Sequence, residues 1–218
     1  MKKGFPPKLK KIGKKKRITT YDGKTLFRQE IYFKDYPEFR PNLTPKQVIQ
    51  MGSFGGSYFR DLEELQQKNK DKSSNCKKTG RILKNIHKRY RFFNDIPDKL
   101  LKTPWNKRDI QLNKYKTHSG SSYEYWCQRK WIRKDSELGW FHWYCSFYAA
   151  RSRDSTFMKK HYQTEDDEIN KYQIQRWLGV SGPKGRWYRF LQNKVKLGKD
   201  SPKVRQLHQH WALDTSEI

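Results

Sequence analysis

Two basic stretches of this chain have the residue types and spacing to hold phosphate. The first is a turn, Gly182-Pro183-Lys184-Gly185, leading into a helical pattern whose outward positions are Arg186, Arg189, Asn193 and Lys196. A helix start offers unpaired backbone N–H groups and a partial positive charge, and glycines let a backbone come close to a ligand. Lys184, Gly185, Arg186, Arg189 and Lys196 are therefore candidate nucleic-acid contacts; the alternative is a plain turn between packed helices. The second stretch holds Lys84, Lys88, Arg89 and Arg91 around a weak apolar stripe of Ile82, Leu83, Ile86 and Tyr90. Seven tryptophans (126, 131, 140, 143, 177, 187 and 211) could stack bases, although such rings are more often core. Tyr123, Tyr125 and Trp126, near His118 and Ser119-Gly120, are the better stacking candidates. Glu165, Asp166, Asp167 and Glu168 could hold Mg²⁺ or supply a general base, but acids are also favoured in a first helical turn. Asp135 and Glu137 have the same two readings. His142 and Cys145, with Cys127 as a third group, fall short of the four ligands of structural zinc, and His208 and His210 diverge at i, i+2. No catalytic order of Ser, His and Asp can be chosen, and no cofactor or metal is expected.

The charge supports a polyanionic partner. The chain of 218 residues carries 49 Lys+Arg against 22 Asp+Glu, a net charge of +27. Residues 1–17 contribute +9, residues 68–91 another +9, and residues 180–210 +7, so the remainder is nearly neutral. Segregated basic segments on a neutral body are the footprint of a nucleic-acid binder. No run approaches the ~20 apolar residues that cross a bilayer, and the basic runs lack the apolar face of an interfacial helix. No membrane partner is expected. The Lys/Pro-rich start has no apolar stretch, so no secretory leader is expected. Three cysteines, an odd number without CxxC, are not a disulfide framework. They suggest a reducing compartment, and with the charge a nucleus or another nucleic-acid-containing one.

These groups must be positioned by a mainly α fold: a single aromatic-cored helical domain over residues 41–213. Residues 1–17 read as a disordered basic tail, and residues 18–40 as a hairpin or extended arm turning at Asp22-Gly23. Thr44-Pro45 starts a short helix through Val48 and Ile49, stopped by Gly52. Three glycines interleaved with rings, from Gly52 to Arg60, mean a tight backbone path against aromatic packing and not a phosphate-binding P-loop. Asp61 to Lys70 can be helical, and Lys68 to Lys78 reads as a loop. A helix from Asp135 to near Arg153 is apolar almost all round and should sit at the centre of the core. Thr164 begins the next helix. A further one turns Trp187, Phe190, Leu191 and Val195 inward, and Ser201-Pro202 starts a last helix packing on Val204, Leu207 and Trp211.

Two resemblances bear on this reading. The run LGVSGPKG, residues 178–185, is similar to the hairpin of helix-hairpin-helix DNA-binding units, with an extra residue between its glycines; on this ground DNA is placed ahead of RNA. The series PNLTP (41–45), FGGSYFR (54–60), GWFHWYC (139–145), QIQRW (173–177), GPKGRW (182–187) and SPKVRQ (201–206) through His210-Trp211-Ala212 resembles an uncharacterised family of small basic proteins. That implies a shared fold over residues 41–213 and no known activity. The chain departs from the family pattern between Ser152 and Gln163, and at Tyr172, where a basic residue is expected. The expected function is nucleic-acid binding, dominated by the phosphate backbone. The alternatives are an enzyme acting on nucleic acid (a nuclease or base-excising glycosylase) and a structural component of a ribonucleoprotein particle.

Overall fold

The computed structural model describes residues 8–61, 85–133, 136–152 and 166–218. Lys84, Asp135, Thr164 and Glu165, most of the expected 61–70 helix and the 68–78 loop lie outside them.

Lysine density does not keep the N-terminal segment disordered. Leu9–Thr19 forms strand β1, paired antiparallel with β2, Thr25–Phe33. The hairpin closes at the expected turn, where Thr20 N donates to Lys24 O (2.8 Å) and Gly23 has φ 84°. The disordered reading of residues 1–17 is thus corrected from Leu9 onward. Ladder hydrogen bonds do not depend on side-chain polarity, and Leu9, Ile12 and Ile18 are turned away from solvent in whole or part. The register shifts between Ile12 and Lys16, which breaks the two-residue period and hides the strand from pattern reading. The hairpin is no separate arm: Ile18, Ile31 and Phe33 belong to the same core as the helices. Removing residues 1–17 is therefore expected to lower the thermal unfolding midpoint by several degrees, since β2 loses its partner; an unchanged midpoint would show that β1 adds nothing.

Seven α-helices follow among the described residues: α1 (Pro45–Gln50), α2 (Asp98–Leu101), α3 (Tyr123–Gln128), α4 (Trp140–Arg151), α5 (Asp167–Val180), α6 (Arg186–Lys196) and α7 (Pro202–His210). The capping box on α1 is complete. Thr44 Oγ1 accepts from Gln47 N (3.2 Å), and Gln47 Oε1 accepts from Thr44 N (3.0 Å). α4 is buried almost all round, as its composition requires, but starts at Trp140 and not at Asp135, because Gly139 at φ 87° breaks the backbone path.

Phe39 lies at the centre of the core, with the rings of Phe33, Trp140, Trp143, Tyr144, Phe147 and Trp177 all within 6.3 Å of it. Buried tryptophans need a partner for the indole N–H, and each of these has one. Trp140 donates to Gln173 O (3.1 Å), Trp143 to Asn170 Oδ1 (2.9 Å) and Trp177 to Trp211 O (2.8 Å). Arg151, fully buried at the end of α4, makes a forked pair with Asp35 (2.9–3.1 Å) and lies over Phe147.

The chain end closes the structure. Leu43 N donates to Ala212 O (3.1 Å), Asn42 exchanges hydrogen bonds with Asp214, and the buried Arg28 of β2 donates to Asp214 Oδ2 (2.7 Å). Burial alone would raise the Asp214 pKa; Lys114, Ser216 and Arg28 together hold it below the usual carboxylate range. Cys145 is a buried free thiol, while Cys127 is disulfide-bonded, a bridge that the odd cysteine count and the missing CxxC did not suggest.

Candidate nucleic-acid interface

The residues singled out on α6 are where the sequence puts them, at the surface. Lys184, Arg186, Arg189 and Lys196 are exposed. The glycines of the turn serve the chain itself. A Cβ on Gly185 would meet Val180 C and O at 2.7 Å, and one on Gly182 would meet Leu178 Cα at 2.8 Å. Gly185 is buried, and its N–H is spent on Gly182 O (2.7 Å). Gly185 is thereby corrected from a ligand contact to a packing position. In the second stretch, Lys88 and Arg91 are exposed and Arg89 half-buried, on two short 3-10 turns, Ile86–Arg89 and Arg91–Phe93. His87, on the first of these turns, is buried.

α6 departs from its expected packing. Of the four apolar residues read as inward, only Leu191 is buried; Trp187 and Val195 are half-exposed and Phe190 is exposed. Trp187 and Phe190 instead form one wall of a cleft of about 610 Å³. Phe54, Tyr58 and Arg60, from the glycine-rich segment ahead of residue 61, also line it. The 105–110 segment contributes Trp105, Arg108 and Ile110. The 118–132 segment adds His118, Tyr123, Trp126 and Trp131. Arg176 projects from α5, Lys203 and His210 from α7, and Trp211 follows. Tyr123, Trp126 and His118, with Ser119 and Gly120, are the stacking candidates read from sequence, and the fold brings them together here; Tyr125 does not line the cleft. Trp105, Trp126, Trp131, Trp187 and Trp211 all line it and are half-buried, Trp126 and Trp211 packing against the edge of the core.

The cleft is positive. Arg60, Arg108, Arg176 and Lys203 line it, and none of the described lining residues is Asp or Glu. The guanidiniums lie on indole rings: Arg108 is 3.7 Å and Arg60 4.5 Å from the Trp105 centroid, and Arg176 is 5.1 Å from Trp131 and 5.5 Å from Trp211. His118 registers the field: burial lowers its pKa first, and Arg108 and Lys203 lower it further. His210 stacks on Phe54 (4.0 Å) and accepts from Phe54 N (3.2 Å); burial pulls its pKa down to about 3, so it is neutral.

The other chemistry considered in the sequence finds different uses. Asp166 is the N-cap of α5, its Oδ1 accepting from Glu168 N (3.0 Å) and Ile169 N (3.2 Å). Asp167 accepts from the Tyr36 hydroxyl and pairs with Lys171 at 2.7 Å. Neither lines the cleft. Among the described residues no group of three or more His, Cys, Asp and Glu could hold a metal ion, and no helix is long and apolar enough to cross a membrane.

Sequence reasoning assigned no role to Arg60, Trp105, Arg108, Arg176 or Lys203. A signal for two of them was present, since Arg60 ends FGGSYFR and Arg176 sits in QIQRW, cations beside rings in segments otherwise committed to packing. No protein family, no curated protein and no solved structure matches this chain.

Proposed function

We propose that this protein binds nucleic acid, chiefly through phosphates. The observation that carries the reading is the convergence of Arg60, Arg108, Arg176 and Lys203 on one cleft without a carboxylate among its described lining, in a chain of net charge +27. Such a site concentrates anions and repels cations. The exposed cations of α6, on the helix whose other face walls the cleft, extend the positive surface beyond its rim. A nuclease or base-excising glycosylase needs an acid in the cleft, so the lining favours binding over cutting.

The test is binding of a labelled DNA duplex and its RNA counterpart over a salt series. On DNA the log–log slope should be about −0.9 per neutralised phosphate. The triple variant Lys184→Ala, Arg186→Ala, Arg189→Ala should weaken binding to all sequences alike and reduce the slope by up to about three. Tighter binding of the DNA duplex is expected from the hairpin resemblance; a slope near zero on both duplexes would sink the reading.

A further inference from the structure

Arg176 is a cation without its anion. It is half-buried, and its NH1 donates to the Gln173 carboxamide (3.0 Å). No carboxylate pairs with it among the described residues. The rings of Trp131 and Trp211 compensate only part of the cost of removing a guanidinium from water. Burial lowers its pKa, the same cost seen from the proton's side. A site in this state gains most from a ligand that brings negative charge.

The remaining lining fixes the rest of that ligand's chemistry. A volume of about 610 Å³ lies within the ~300–1,000 Å³ of small-molecule sites. Many of its lining residues are Phe, Tyr or Trp, whose rings suit a flat aromatic body. Aromatic cages also take quaternary ammonium groups, but a cage for a cation does not carry four cations of its own. A nucleotide has both features, a planar aromatic base joined to an anion. In a duplex the faces of a base are covered by its neighbours, so a base that meets these rings must be unpaired and unstacked.

We propose that the cleft is a subsite for one unpaired nucleotide of a nucleic-acid strand, its base against Trp131 and its phosphate on Arg176. The proposal rests on the nucleic-acid reading above and adds to it a preference for single-stranded over paired regions. The wall from α6 then has a reason to stay open: Trp187 and Phe190 are uncovered because strand, and not protein, packs on them.

The experiment uses the full chain and three probes: a 5′-phosphorylated oligothymidylate, a duplex of equal length, and thymidine monophosphate. Intrinsic tryptophan emission and fluorescence anisotropy are followed together. The single strand should quench the emission and bind at least about tenfold more tightly than the duplex. Trp131→Leu and Arg176→Gln should each weaken the single strand about tenfold or more; Trp131→Leu should leave the duplex nearly unchanged, and Arg176→Gln should weaken the duplex several-fold less than the strand. Arg176→Lys keeps the charge, loses the planar fork, and should fall between. Urea unfolding of each variant, expected to stay near the parent, separates lost contact from lost fold. Equal affinity for strand and duplex with unchanged emission would overturn the cleft proposal and leave the proposed function standing. Absence of binding to both strand and duplex would overturn both. Thymidine monophosphate binding as tightly as the strand would move the ligand from a strand to a free nucleotide.

Discussion

Lowering the pH from 7 to 5 is expected to remove about 6 kcal/mol of stability, roughly 2 kcal/mol for each of three buried histidines. Burial is the main cause in all three, and it pulls His142 and His210 down to about 3 and His208 to about 4, from an ordinary value of 6.5. The folded pKa lies below the unfolded one, so between 6.5 and the folded values the unfolded chain takes up protons that the folded chain refuses. Stability is therefore complete above about 6.5 and lost as the pH falls through the window, which closes at about 4 for His208 and about 3 for His142 and His210. The structure shows why these side chains resist charging. His142 has both ring nitrogens buried without a hydrogen-bond partner, and its Nδ1 is 3.6 Å from Glu137, beyond hydrogen-bond reach. His208 meets Ser181 Oγ at 2.8 Å, and His210 is held between Phe54 N and Gln206. Domains of this kind have about 5–15 kcal/mol in total, so acid should approach or reach unfolding before pH 4. Urea titrations at a series of pH values give the number of protons taken up from the slope of stability against pH. His142→Phe, which swaps two unpaired buried nitrogens for carbon, should remove one proton from that slope. A stability flat between pH 7 and 5 would show that these imidazoles are charged or accessible in the folded state.

Gly56→Ala is expected to cost about 3–5 kcal/mol, at the upper end of what single substitutions do. Two effects combine. Gly56 has φ +75°, a conformation worth about 1–2 kcal/mol against any residue with a Cβ. The added Cβ would also lie 2.1 Å from the carbonyl oxygen of Lys99, in α2. That oxygen belongs to a backbone tied to the Gly56 segment just beyond it, by Phe59 N on Leu101 O (2.7 Å) and Thr103 N on Gly56 O (3.0 Å). The control is Gly198→Ala, where φ is +67° but the surroundings are open, so only the conformational cost of about 1 kcal/mol should appear. Equal losses at the two glycines, read from urea midpoints, would mean that α2 moves aside freely. The same segment carries Tyr58 and Arg60 into the cleft, so Gly56→Ala should also disturb binding.

What could be read in advance follows the range of the forces involved. The α1 start was legible because a capping box lies within four residues, Thr44 to Gln47. The central position of α4 was legible because twelve residues with almost no polar side contain their own instruction. β1 was not, because strand pairing is decided by β2, and five lysines with a register shift outweigh Leu9, Ile12 and Ile18 in any local reading. The amphipathic period of α6 shows which face is apolar but not whether protein covers it, and so Trp187 and Phe190 were placed inside. Of the cleft, the cluster around Tyr123 and Trp126 was visible, since rings near a glycine loop are adjacent in sequence. Its meeting with Arg60, Arg108 and Arg176 depends on contacts between segments far apart in the chain, which no spacing encodes.

The pairing of Arg28 with Asp214 sets a condition on how the chain can be made. The two residues are 186 positions apart, and both are buried. On the ribosome, the hairpin emerges long before Asp214. Until then Arg28 has no carboxylate to enter the interior with, and a buried unpaired guanidinium is costly enough to keep β2 from docking. The backbone of Leu43 waits in the same way for Ala212. Helices can form as they are synthesised, but the assembled domain can appear only once the segment around Asp214 has emerged. The nascent polypeptide, already strongly basic, must meanwhile be kept from the ribosomal RNA beside it.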